Sequence, residues 1–229
     1  MAWFIFPVVV ISVAIGSGYL VGVMILGKKA ASRHIRYGLP WLLIGFALAF
    51  VFAILMRWQR PSGDFFSLAY VAGVLTWLLS WPVRQQGAGN VLLNAGRTLQ
   101  NKLLFWIGIL EVGMALYFTW PSLIVPVRSV EYISIFQVIF WWVFAVFFLV
   151  LGLSQLELRE RGLCFMYTFV TWQRMKSYVW EPSRPNTLTI EVKPYLPLMP
   201  KFISITVPKS HRDAIEQIVA TRISDATVS

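Results

Sequence analysis

The chain has 229 residues, 58% of them apolar before its 15 glycines are counted, which exceeds the ~45–50%, glycine included, of an ordinary soluble domain and sets a wholly soluble reading aside. Its formal net charge of +10 resembles that of a polynucleotide binder, yet the basic residues stand between apolar runs rather than along one face, so nucleic acid is excluded as a partner. One cysteine, Cys164, excludes an intrachain disulfide framework, and two distant histidines, His34 and His211, give no local metal cluster.

Taken in chain order, five uncharged or nearly uncharged runs are long enough to cross a hydrocarbon layer of ~30 Å as helices. They are Ala2–Gly27, Tyr37–Met56, Phe65–Val83, Leu103 to Trp120 and Tyr132–Leu156. Buried strands last only ~4–8 residues, so helices are the expected form. The first run has no basic region before it and no clean cleavage site, and reads as a retained helix rather than a signal peptide. Ala88–Asn101, with Val91, Leu92, Leu93 and Leu99, reads as a short interfacial helix or an ordered loop.

Loop charges then orient such a bundle. Lys28, Lys29, Arg33 and Arg36 follow the first run, and Arg84, Arg97 and Lys102 follow the third, whereas the second and fourth connections are nearly balanced. The positive-inside rule puts the N-terminus outside and the C-terminal segment in the cytoplasm.

Composition changes after Leu156, giving two expected domains: residues 1–156, a helical membrane region, and 157–229, a small cytosolic α+β domain. Leu156–Arg159, Leu163–Val170, a strand within Trp172–Trp180, Thr187–Val192 and Phe202–Val207 read as strands. Pro194–Pro200 reads as a loop, and His211–Ile223 as a helix capped by Ser210, with Ala214, Ile215, Ile218 and Val219 on its apolar face.

Leu158-x-x-x-Gly162, Thr171-Trp172-x-x-x-x-Ser177-Tyr178 and Ile203-Ser-Ile-Thr-Val207-Pro208 resemble a bacterial pleckstrin-homology-like domain fused to a membrane bundle, with a further likeness to cyanobacterial membrane proteins bearing such a tail. The resemblance covers about residues 156–223 and belongs to a group largely of unknown function. It implies a small bent antiparallel sheet closed by a C-terminal helix, displayed as a scaffold on the cytoplasmic side of a bacterial plasma membrane or a thylakoid membrane. The dispersed Arg174, Lys176, Arg184, Lys193 and Lys201 form no compact phosphoinositide cradle.

Glu111 falls near the middle of the fourth run, where a carboxylate must be protonated, paired or wetted. It is the candidate polar site, either a relay or an interhelical hydrogen-bonding group. Gly18 with Gly22, and Ala69 with Gly73, are small-xxx-small pairs suited to helix packing or a homo-oligomer. Trp141 and Trp142, together with Tyr195, Leu196, Leu198 and Met199, are candidate interface residues. Catalytic motifs, cofactor motifs and metal ligands are not expected. The functional expectation is a membrane-anchored scaffold, assembly or accessory protein docked to an integral membrane complex, with a small transporter or channel using Glu111 as the alternative. Its expected partners are the lipid bilayer and an integral membrane protein or a second copy.

Overall fold

The computed structural model describes residues 16–36, 62–124, 135–194 and 201–228. Breaks in the apolar runs decide its elements. Helix α1 (Gly16–Leu26) stops at Gly27, whose φ of +89° suits glycine alone among ordinary residues, and α2 (residues 28–36) begins directly after it. The helix α3 (Ser62–Leu79) stops at Ser80, and short α4 (Trp81–Gln86) follows with Pro82 in its first turn, where a missing donor costs little. Val91–Gly96, expected as a loop or interfacial helix, is strand β1. Two long apolar helices follow, α5 (Leu99–Ile124) and α6 (Ile135–Leu153), and α5 runs on past Trp120 through Pro121.

Beyond α6 come β2 (Leu156–Arg159), β3 (Gly162–Phe165), β4 (Thr168–Thr171), β5 (Met175–Trp180), β6 (Thr187–Val192), β7 (Phe202–Thr206) and helix α7 (Arg212–Val228). The strand expected over Leu163–Val170 is two strands, because Met166 and Tyr167 take φ values of 48° and 57° and close a two-residue hairpin. Left-handed values at both central positions are what a type I′ turn demands, and its twist matches the flanking strands. Ser210 lies inside a 3-10 turn, Lys209–His211, which leads into α7.

Two antiparallel sheets result, ordered β1-β2-β3-β4 and β5-β6-β7. The described parts of 1–45 and 172–229 make one compact unit, and those of 46–171 make the other. In the first unit, α7 contributes Ile215, Val219 and Ile223 at helical spacing to a core that also holds buried Leu188, Ile190 and Ile205. In the second, Leu156, Leu158 and Leu163 are its most deeply buried leucines.

These findings correct the expected membrane bundle. Among the described residues, one helix, Leu99–Trp120, is long and apolar enough to cross a membrane; the other apolar helices, Gly16–Leu26 and Val138–Leu153, are shorter. Only 11% of that helix's apolar window is buried inside the chain. The Tyr37–Met56 run and the start of the first run lie outside the described residues. An uncharged run measures apolarity and not helix length: the Phe65–Val83 run is divided at Ser80, and the Tyr132–Leu156 run is helical only to Leu153 before β2 begins. Five crossings are therefore not what the described chain has, and the inside/outside assignment, the plasma or thylakoid membrane, the bilayer and integral-membrane partners, and the membrane-anchored docking role with its transporter alternative fall with the crossings on which they rested. The expected pleckstrin-homology-like sheet is corrected too. Two small open sheets replace one bent sheet, and the first of them borrows β1 from before the helices.

Helices α5 and α6 pack side by side through small residues. Ala115 and Ala145 are fully buried, and Cβ atoms built on Gly108 and Gly152 would collide with Leu149 and with the backbone of Phe105. Replacing Gly152 by Ala should push the helices apart and lower unfolding stability by about 1–3 kcal/mol, read from a denaturant midpoint. An unchanged midpoint would contradict this packing.

Candidate functional site

Hydrogen-bonding demands at the helix ends build the most elaborate polar arrangement of the unit comprising 46–171. Thr98 precedes α5, and its Oγ1 accepts from the Asn101 N–H at 3.2 Å while the Thr98 N–H donates to Asn101 Oδ1 at 3.2 Å. This is a reciprocal capping box with asparagine in the place usually held by Glu or Gln. The Thr98 hydroxyl also donates to Asn101 Oδ1 at 2.6 Å. Asn101 Nδ2 donates to the Leu151 carbonyl and to Ser154 Oγ, both at 2.8 Å, so the cap of α5 also closes the end of α6.

Beside this neck, Arg84 of α4 reaches in two directions. Its Nη2 donates to the Trp77 carbonyl in the last turn of α3 at 2.5 Å, and its Nη1 donates to the Tyr167 carbonyl in the β3–β4 turn at 3.0 Å. A cation is favoured at a helix C-terminus. The guanidinium also lies over the Trp77 and Trp81 rings, 5.1 and 5.4 Å from their centroids. Arg84 Nε is buried without a partner. Burial raises the Tyr167 hydroxyl above its ordinary range, so it stays protonated at neutral pH.

Glu157 of β2 accepts from Arg159 Nη2 at 2.7 Å and Nε at 2.8 Å, and from Gln85 Nε2 at 3.3 Å. Between these groups opens a cleft of about 140 Å³ lined by Trp81, Gln85, Ser154, Gln155, Glu157 and Tyr167. Cys164 is buried, and the cost of burying a thiolate pushes its thiol up to about 11, so it is an inert thiol here.

The other unit has its own polar centre. Glu181, 1% exposed, pairs with Arg33 of α2 at 3.1 Å and accepts from Thr189 Oγ1 at 2.9 Å; Thr189 in turn shares a hydrogen bond with Ser204. Arg33 also lies over Phe202. Burial, aided by Arg33, holds the His34 pKa below its ordinary value.

The residues singled out by sequence fall in separate places. Glu111 is half-buried in α5, with Oε2 buried and unpartnered. Trp141 stacks on Phe118 at 5.1 Å, and Trp142 Nε1 donates to Thr119 Oγ1 at 3.0 Å. A Cβ on Gly22 would meet Ala31 at 3.3 Å, whereas Gly18 and Gly73 face open space within the chain and Ala69 is exposed. Tyr195, Leu196, Leu198 and Met199 lie outside the described residues. Sequence reasoning missed Thr98, Asn101, Arg84, Gly108 and Gly152. Of these, the Thr98-x-x-Asn101 spacing carried a legible cap signal, whereas the others depend on elements distant in sequence. Among the described residues, no group of three His, Cys, Asp or Glu is placed to hold a metal.

Residues 154–224 match a domain of unknown function, DUF5673, a stretch shorter than half the chain. Among curated proteins and among solved structures, nothing matches. The expected likeness to pleckstrin-homology-like domains thus gives way to this match and to the two open sheets.

Removing Arg33 strands a carboxylate with almost no solvent contact, while removing the Glu181 charge leaves a cation that is 31% exposed. Arg33→Ala should therefore cost about 2 kcal/mol, below the ~3–5 kcal/mol of a fully buried pair, and Glu181→Gln about 1 kcal/mol, since an amide oxygen still accepts from Thr189. Urea unfolding of both variants checks the order, and a larger loss for Glu181→Gln would refute it.

Proposed function

We propose that the chain is a non-catalytic structural coupler, in which the α5–α6 pair and the β1–β4 sheet behave as one rigid piece and pass displacement from one to the other. The carrying observation is Asn101, a buried side chain that ties the start of α5 to the end of α6 where both helices meet paired strands: Gly96 of β1 lies opposite Leu156 of β2. The helix pair is thus inserted between two adjacent hydrogen-bonded strands. A change in the helix crossing at that end must strain the first rung of the ladder.

Trp141 and Trp142 enter this reading as the residues that fasten the far part of the pair, through Phe118 and Thr119. Gly22 enters it as a close-packing position beside Ala31, within the other unit. The family match beginning at 154 and the change from helix to strand there support a sequence boundary near 157, although β2, β3 and β4 share a compact unit with α5 and α6.

Spin labels on cysteines replacing exposed Met114 and Thr168 would report the distance from helix to sheet, with buried Cys164 left unlabelled. The coupler predicts a narrow distance distribution that broadens in Asn101→Gly, with a stability loss of about 1–3 kcal/mol for the stranded Thr98 amide, the Leu151 carbonyl keeping the Ser154 hydroxyl. A distribution already broad in the parent chain, or equally narrow in the variant, would count against it.

A further inference from the structure

The cleft beside the neck has a use that rigid coupling does not require. Its size of about 140 Å³ is close to that of a cavity known to hold one benzene ring, ~150 Å³. Two of its walls are aromatic, since Trp81 and Tyr167 stand with ring centroids 4.9 Å apart and planes inclined at 35°. Such surfaces suit a flat guest better than a branched aliphatic one.

Charge narrows the choice further. Glu157 is the carboxylate in the lining, and Arg159 and Gln85 already donate to its Oε2. Its charge is met by the Arg159 guanidinium at 2.7 Å, so the lining offers no unpaired anion. A cationic guest finds the carboxylate already paired, whereas an acceptor oxygen meets donors. Asn94 Nδ2 donates to Gln155 Oε1 at 2.5 Å, which leaves the Gln155 amide hydrogens for another acceptor, and the Tyr167 hydroxyl is a second donor.

We infer that this cleft binds a small planar ligand, about one six-membered ring in size, through a carbonyl or carboxylate oxygen set against Gln155 and Tyr167, with its ring against Trp81. Benzamide and benzoate are the probes, and benzylamine, of the same size but cationic, is the control.

Saturation-transfer NMR on the full chain tests the inference. Benzamide and benzoate should both receive saturation with dissociation constants on the order of 1 mM, and benzylamine should receive none. Trp81→Leu should weaken binding about tenfold. Because Trp81 also contacts Arg84, the exposed position provides the cleaner variant: Gln155→Leu should weaken both ligands several-fold while leaving the unfolding midpoint in place. No transfer to either oxygen-bearing probe, equal or stronger transfer to benzylamine, or unaltered binding in Gln155→Leu would each overturn the site.

Discussion

Every hydrogen-bonding valence of the Asn101 side chain is used inside the protein. Its carbonyl oxygen accepts from the Thr98 amide and hydroxyl, and its two amide hydrogens go to the Leu151 carbonyl and the Ser154 hydroxyl. A helix start and a helix end each leave backbone groups that need partners, and in a place as dry as this an unmet need is expensive. One amide meets both needs. The consequence is geometric as much as energetic, since the first turn of α5 and the last turn of α6 cannot drift apart without stranding buried polar groups.

The strands inherit that constraint. β1 ends at Gly96, whose φ of +73° turns the chain toward Thr98, and β2 begins at Leu156, just past Ser154. Pairing these strands around a flexible connection of about sixty residues would carry a length-dependent closure cost of roughly 4 kcal/mol. A packed helix pair shortens the effective loop to the few residues at the neck. The β1–β2 ladder and the helix pair are therefore mutually dependent, and the close approach of the helices at Gly108 and Gly152 supports the sheet. Arg84 adds a second tie within this unit, joining the end of α3 to the β3–β4 turn through two carbonyls and two indole faces.

Much of this was written locally and could be read. Alternation placed β2, β6 and β7, and helical spacing placed Ile215 and Val219 of α7 in a core. What could not be read depended on distant partners. β1 lacks clean alternation, and its status as a strand is conferred by Leu156–Arg159 far downstream. The Met166–Tyr167 turn lacks the Asn or Gly that announces a type I′ hairpin, so two strands read as one. Apolar runs overstated helix length, because hydropathy does not register where α3 gives way to α4 at Ser80 or where α6 gives way to β2. At the site, Trp141 and Trp142 were noticed for being aromatic and deep in a run, whereas Asn101 was passed over as an ordinary polar residue at a loop's edge.

The central claim, that β1 is a true sheet strand held in place by the neck of the helix pair, is tested most directly by hydrogen exchange at individual amides. The β1 amides that bond to β2 should exchange slowly, and together with those of β2, because they open in one event with the separation of α5 from α6. Exchange of β1 at the rate of an unstructured loop, while β2 and β3 stay protected, would show that the upstream segment is not part of the sheet and that the helix pair is not clamped by it.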